Sequence, residues 1–310
     1  MIDSTLQPQT RAEAARLAGF LDDVRRDAEA TLDALVPNPE ISPSSIHEAM
    51  RYSLFAGGKR IRPALVVMTA ELFAVERRHA LVGGAALEMI HTYSLIHDDL
   101  PALDDDDLRR GKPSNHRRFG EATAILAGDA LLTLGLTTLA AAPDDLPEAV
   151  RARATALVGR AIGTLGMIGG QVDDLEAEAR PPDDPGAALD AIHRRKTGDL
   201  LATCLRLAGV YAEVDAATDG ALAELGMHLG LMFQIADDIL DVEGATEALG
   251  KTAGKDAAAR KLTYPSLYGL DESKRLLARH RERALALAHA LPAAGGLLPA
   301  LARYLATRKT

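Results

Sequence analysis

Apolar residues recur along this chain at intervals of three and four, and sustained alternation at intervals of two is absent, so the pattern predicts a succession of helices. An amphipathic opening helix to about Pro37 carries Ala14, Leu17, Phe20, Leu21, Val24 and Ala28 on one stripe, and Pro37, Pro39 and Pro43 break it. Ser45 with Glu48 has the spacing of a capping box and predicts a second helix through Met50, Tyr52 and Leu54 to Gly57. Gly57 and Gly58 end it, and Pro63 opens another. Apolar helices follow over 64–73 and 81–96, then two Ala/Leu-rich ones over 122–140 and 149–167 separated by AAPDDLPE. Pro181, Pro182 and Pro185 mark a surface loop, runs over 200–211 and 221–235 follow, and the helices from Asp271 read as structural. With no internal repeat and no low-complexity linker, the expectation is one all-α domain over residues 1–310, a helical bundle around a central cavity.

Composition sharpens that reading. Of 310 residues 47% are hydrophobic but only 4% aromatic, with no Trp, so the core must be Ala, Leu, Val and Ile, a mixture that favours helix over sheet. The one cysteine, Cys204, excludes an intramolecular disulfide, fits a reducing compartment and sits among apolar neighbours as a small core residue. A net charge of −9 argues against a general nucleic-acid binder, and an anionic ligand would need local cations and metal to hold it. The start, MIDSTLQPQT, lacks the basic and apolar regions of a secretory signal, so the cytoplasm is the expected location. The stretch 122–142 is the most membrane-like, but Asp129 interrupts it, which predicts a buried helix and no membrane span.

The chemistry concentrates in HDDLPALDDDDLRR, from His97 onward, where six aspartates fall within ten residues and Arg109 and Arg110 follow. The apolar run upstream delivers Asp98 and Asp99 to the end of a buried helix, where unneutralised carboxylates are costly; divalent metal or ion pairing is implied. Asp98 and Asp105, seven apart, share a helical face and Asp104 does not, but Pro101 can break the helix, so both remain candidates. A second acidic group, FQIADDILD, sets Asp237 and Asp241 about 40° apart on one helix face with Asp238 at its shoulder. Lys59, Arg60 and Arg62 follow the glycine pair that would let them approach a phosphate, although three cations at a helix boundary also suit a solvated turn.

In this order, GGKRIRP and the two aspartate-rich motifs resemble the trans-isoprenyl diphosphate synthases of the polyprenyl synthetase family, over roughly residues 48–265. The four residues between Asp99 and Asp104 resemble the longer first motif of bacterial farnesyl and many geranylgeranyl diphosphate synthases. The resemblance implies magnesium, three ions with diphosphate bound, held by Asp98 and Asp104 and by Asp237, with Asp99, Asp105, Asp238 and Asp241 as direct or supporting ligands. It assigns Lys59, Arg62, His91 and Arg110 to the diphosphate of isopentenyl diphosphate, and Arg109, Lys196 with Thr197, and Lys251 to the allylic diphosphate. The glycine-glycine-glutamine element Gly169, Gly170 and Gln171, with Asp174, would line the pocket, Gln234 would join the substrate contacts, and Lys251 and Lys255 would belong to a lid.

The reaction so implied is head-to-tail prenyl transfer, in which isopentenyl diphosphate condenses with dimethylallyl and then geranyl diphosphate to give farnesyl diphosphate. Ideal helix geometry places Ser94 one turn below Asp98 and does not single out Tyr93. The family does, since an aromatic residue five positions before the motif stops growth near fifteen carbons. A homodimer is the family's common state. Geranylgeranyl or geranyl diphosphate synthesis, a class I terpene cyclase and a non-catalytic synthase subunit are the alternatives; the cyclase has no use for the second diphosphate site, and both acidic motifs are intact.

Overall fold

The computed structural model describes residues 8–247 and 262–307. Most of these are in helices joined by loops, and the one strand pair among the described residues is a short antiparallel hairpin of two-residue strands. The chain divides into two compact units, one of Ala18–Thr155 with Val210–Ala212, the other of Met1–Leu17, Ala156–Gly209 and Glu213–Thr310. The opening helix α1 (Pro8–Leu35) buries Leu17, Val24 and Ala28 of the expected stripe and leaves Ala14, Phe20 and Leu21 half-buried, and it also buries Leu32.

In the 18–155 unit the organising helix is α4 (Arg77–Asp98). Its run from Gly83 to Ile90 is buried on every side, between α3 (Ile61–Leu72) and α6 (Glu121–Ala141). Leu87, Met89 and Ile90 are fully buried, and each contributes about 1.5–3 kcal/mol by leaving water. Pro101 disfavours the helical conformation at Leu100, and α4 stops at Asp98. The chain then folds back on the helix end: Asp104 N–H donates to Asp98 O (2.8 Å), Asp105 N–H to Leu100 O (3.2 Å) and Asp106 N–H to Asp99 O (3.2 Å). The helix α6 is long and apolar enough to cross a membrane by length and composition. It buries Ala127, Leu131 and Leu139 within this unit and leaves Asp129 exposed.

Three boundaries differ from the sequence reading. The helix α2 (Ser44–Leu54) begins after Pro43 with no side-chain cap, so Ser45 and Glu48 make no capping box: Ser45 is already inside the first turn. It ends at Leu54, and Gly57 and Gly58 belong to the loop leading to Arg60, the left-handed residue before α3. The long helix expected over 149–167 is α7 (Glu148–Ile162) and then α8 (Met167–Ala179), divided by a turn that contains Gly163 and Gly166.

In the other unit α8 is followed by α9 (Pro185–His193), a π-helical turn at Arg194–Gly198 and α10 (Asp199–Tyr211). The long α11 (Ala216–Glu247) carries the second acidic group. After residue 261 come α12 (Tyr264–Tyr268), α13 (Leu270–Ala290), which lies along α11, and α14 (Leu298–Thr307).

Candidate active site

In the reversal after α4, Asp104 N–H returns to the backbone of Asp98, whereas Asp105 adopts φ +47° and is exposed. Asp98 and Asp104 are half-buried at the same helix end. Asp99, expected to work beside Asp98, is turned inward at 2% exposure and gripped by Arg109, whose Nε donates to both carboxylate oxygens (2.7 and 2.9 Å) while Nη2 lies 2.6 Å from Oδ1. Burial raises the pKa of Asp99, and the guanidinium opposes that rise. Its role in this structure is to fasten Arg109.

Arg109 stands on the hairpin of β1 (Leu108–Arg109) and β2 (Lys112–Pro113), in which Leu108 pairs Pro113 and Arg109 pairs Lys112. Arg110 takes φ +53° and Gly111 φ +74° in the turn between them. Arg110 lies against the bare Cα of Gly58, where a Cβ would come within 2.9 Å of the guanidinium carbon, and Gly58 itself is at φ +131°. The positive φ favours glycine there, and a Cβ would make the Arg110 side chain shift. Arg60, next in the loop, is 3% exposed and donates to Glu88 Oε1 (2.8 Å) and Leu54 O (2.6 Å), so it holds the loop from beneath; Lys59 is exposed and Arg62 half-buried.

His91, on α4, is neutral: burial first, then the charges of Arg62, Arg110, Arg109 and Arg60, hold its pKa well below the ordinary imidazole value. Of these four guanidiniums Arg60 is paired with Glu88 and Arg109 with Asp99, and Arg62 and Arg110 are the two nearest in effect on the ring, the kind of side chain that suits an anion. Further along α4, Tyr93 is 5% exposed and edge-on to His97 at 5.7 Å, its phenol pushed up to about 12 by burial and by Asp98. Ser94 Oγ donates to His91 O (2.9 Å), so its hydroxyl is tied to its own helix.

In the other unit the π-turn carries Lys196 and Thr197. Lys196 Nζ donates to Asp174 (2.7 Å) and Thr197 Oγ1 to Gln234 Oε1 (3.2 Å). Gly170 lies beneath this turn, where a Cβ would stand 2.9 Å from Lys196 Cα, so that glycine makes room for the lysine's backbone, while Gly169 lies against the Thr164 carbonyl. On α11 Asp237 is half-buried and Asp241 exposed, but Asp238 is only 6% exposed. It accepts from Tyr264 N–H (2.9 Å) and Gln234 Nε2 (3.3 Å), and burial lifts its pKa to about 7 against those two bonds. Asp238 thus repeats the inward turn of Asp99: in each aspartate pair the first residue faces out and the second holds the frame. Lys251 and Lys255 lie outside the described residues.

Magnesium fits the donors of each unit taken by itself. Asp98 with Asp104, and Asp237 with Asp241, offer hard carboxylate oxygens on accessible surfaces, and rigidly held neighbours support them. The Glu76, His79 and Asp145 cluster has metal-like spacing, but Arg78 already bonds Glu76 (2.8 Å) and Asp145, so ion pairs close it. Sequence reasoning missed Tyr264 N–H, Glu88 and Asn115, all partners through backbone or buried polar atoms that carry no motif.

A helical protein with two outward aspartate groups and a guanidinium cradle on a glycine loop defines a class, the metal-dependent handlers of diphosphate esters. The polyprenyl synthetase family model matches residues 43–289, and the chain belongs to that family. It is 45% identical to farnesyl diphosphate synthase of Geobacillus stearothermophilus over 266 residues, 86% of this chain and 89% of that protein. Geranylgeranyl pyrophosphate synthase 11 of Arabidopsis thaliana, a chloroplastic protein, is 45% identical over 91% of this chain and 80% of its own. Among solved structures, an FPP/GFPP synthase from Zymomonas mobilis matches with TM-score 0.85 at 35% identity, covering 95% of this chain and all of that one.

Proposed function

We propose that this protein is a farnesyl diphosphate synthase that condenses isopentenyl diphosphate with dimethylallyl and then geranyl diphosphate. The observation that carries the reading is the pairing, within one unit, of an accessible carboxylate turn at Asp98 and Asp104 with the cradle of Gly58, Arg62, His91 and Arg110. One binds metal and the other an anion, and a reaction between two diphosphates needs both.

Asp98, Asp104, Asp237 and Asp241 hold magnesium, three ions when diphosphate is bound, and bound metal stabilises the charge that gathers on the departing diphosphate. Arg109, Lys196 and Lys251 bind the allylic diphosphate, with Thr197 and Gln234 behind Lys196. Lys59, Arg62, His91 and Arg110 orient isopentenyl diphosphate, and Lys255, outside the described residues, is a further candidate for a substrate contact. The isopentenyl double bond attacks the allylic cation, and the proton lost afterwards passes to the released diphosphate, so no side chain need act as nucleophile. An apolar interior built from Leu and Ala protects the cation. Tyr93 closes the cavity at fifteen carbons, and Ser94 lines the wall above it.

The whole chain is taken as one domain, acting in the cytoplasm as a homodimer, with no nucleic-acid partner. Support for a dimer comes from uncovered apolar residues on each unit: Ile125 and Leu126 on α6 are 44% and 56% exposed, and Ile168, Val172 and Leu175 form a stripe on α8. The test is product analysis with isopentenyl diphosphate and dimethylallyl, geranyl or farnesyl diphosphate as primer. Farnesyl diphosphate from the two shorter primers, with farnesyl diphosphate itself left unextended, is expected. Extension of farnesyl diphosphate would transfer the protein to the geranylgeranyl synthases, and no turnover with any primer would overturn the reading.

A further inference from the structure

We infer that Asn115 and Tyr52 are positioning residues that set Arg110 over Gly58 and so determine affinity for isopentenyl diphosphate; this rests on the reading above. The two arginines of the hairpin are held by different means. Arg109 has its own anchor, the buried carboxylate of Asp99 at the end of α4. Arg110 points the other way, from a left-handed residue in an exposed turn, and its place depends on where the hairpin sits.

That position is set by clamps to α2, the helix that also launches the Gly57–Gly58 loop. Asn115, the first residue of α5 (Asn115–Phe119) and 2% exposed, donates through Nδ2 to Ala49 O and to Ser53 Oγ, both at 2.8 Å. Tyr52, one residue from Ser53, donates its hydroxyl to Pro113 O (2.8 Å), at the last residue of β2, and meets Phe119 edge-on at 5.3 Å. Hairpin and glycine loop are therefore both referenced to one turn of α2. A shift of the hairpin by a fraction of an ångström moves the Arg110 guanidinium relative to Gly58 and Arg62 and leaves Arg109 on Asp99. Misplacement of one charged fork loses a bond to phosphate, not the chemistry.

The experiment is steady-state kinetics of the full chain, each substrate varied in turn against geranyl diphosphate or isopentenyl diphosphate at saturation, with thermal denaturation alongside. Asn115→Ala is expected to raise KM for isopentenyl diphosphate about tenfold and Tyr52→Phe about threefold, the loss of one to two hydrogen bonds in effect, with kcat and KM for geranyl diphosphate within about twofold. In an Arg110→Ala background the same substitutions should change KM no further, because their effect runs through that guanidinium. An equal rise in both KM values, an unchanged KM for isopentenyl diphosphate in folded variants, or full additivity with Arg110→Ala would overturn the inference. Should Asn115→Ala fail to fold, Tyr52→Phe, which deletes one oxygen, carries the test. A wild-type protein that consumes no isopentenyl diphosphate is a separate result, the failure of the reading beneath.

Discussion

Adjacent aspartates in this protein do different work. Asp237 stands at the accessible surface of α11, while Asp238 is buried on Tyr264 N–H and Gln234 with its pKa raised to about 7. An asparagine at 238 keeps an acceptor for Tyr264 and removes a charge that burial already disfavours. Asp238→Asn is therefore expected to keep activity within about fivefold and Asp238→Ala to lose about 1–3 kcal/mol of stability, read by urea unfolding, for the stranded N–H. Asp237→Asn should instead cut kcat by a hundredfold or more, about 3 kcal/mol of transition-state stabilisation at 1.36 kcal/mol per tenfold, with little change in unfolding midpoint. Equal kcat losses in the two asparagine variants would refute this division of labour. Tyr93, buried just below Asp98, is the other residue with a sharp consequence: Tyr93→Ala should shift products beyond fifteen carbons by chromatography, and an unchanged distribution would discard it as the floor.

Among the elements, the contact of α11 with α13 contains a pair of histidines that the sequence did not advertise. His228 Nδ1 and His280 Nδ1 are 2.8 Å apart with ring centroids 5.1 Å apart, a head-on hydrogen bond that requires one nitrogen to be bare. Burial comes first in lowering both pKa values, His280 to about 4; Arg194 lowers both, Arg283 and Arg279 lower His228 and His280 respectively, and Glu224 and Asp190 oppose. Bases with depressed folded pKa values bind fewer protons folded than unfolded, so their contribution is present above about pH 6.5 and is lost as pH falls toward 4. Discounted for partial exposure, that loss is on the order of 1–2 kcal/mol. His280→Asn should flatten the pH dependence of the unfolding midpoint between pH 6.5 and 4, and an unaltered slope would dismiss the pair as its source. Element placement was legible where apolar periodicity was long, as in α1, α4 and α11. It failed at α2 and between α7 and α8, because Pro43 and the Gly163–Gly166 turn act through backbone conformation, which outweighed the side-chain spacing used to draw those boundaries.

For the molecule as a whole, chelation should abolish turnover, and magnesium should restore it with farnesyl diphosphate as product, if Asp98, Asp104, Asp237 and Asp241 are the ligands; activity retained in chelator would reject the metal assignment. Sedimentation should give a dimer, and a monomer with full activity would leave the exposed residues of α6 and α8 to another role. The amino-acid sequence by itself determined the helical class and the family and supplied the residues proposed to meet diphosphate and metal, because periodicity and charge clusters are local properties that survive without coordinates. Which aspartate of each pair faces outward, that Arg60 lies beneath its loop while Arg62 does not, and that Asp104 rather than Asp105 returns to Asp98 were decided only by the tertiary structure. Each of those outcomes turns on burial and on a backbone partner distant in sequence or across a chain reversal, and neither is encoded in the spacing of the residues themselves.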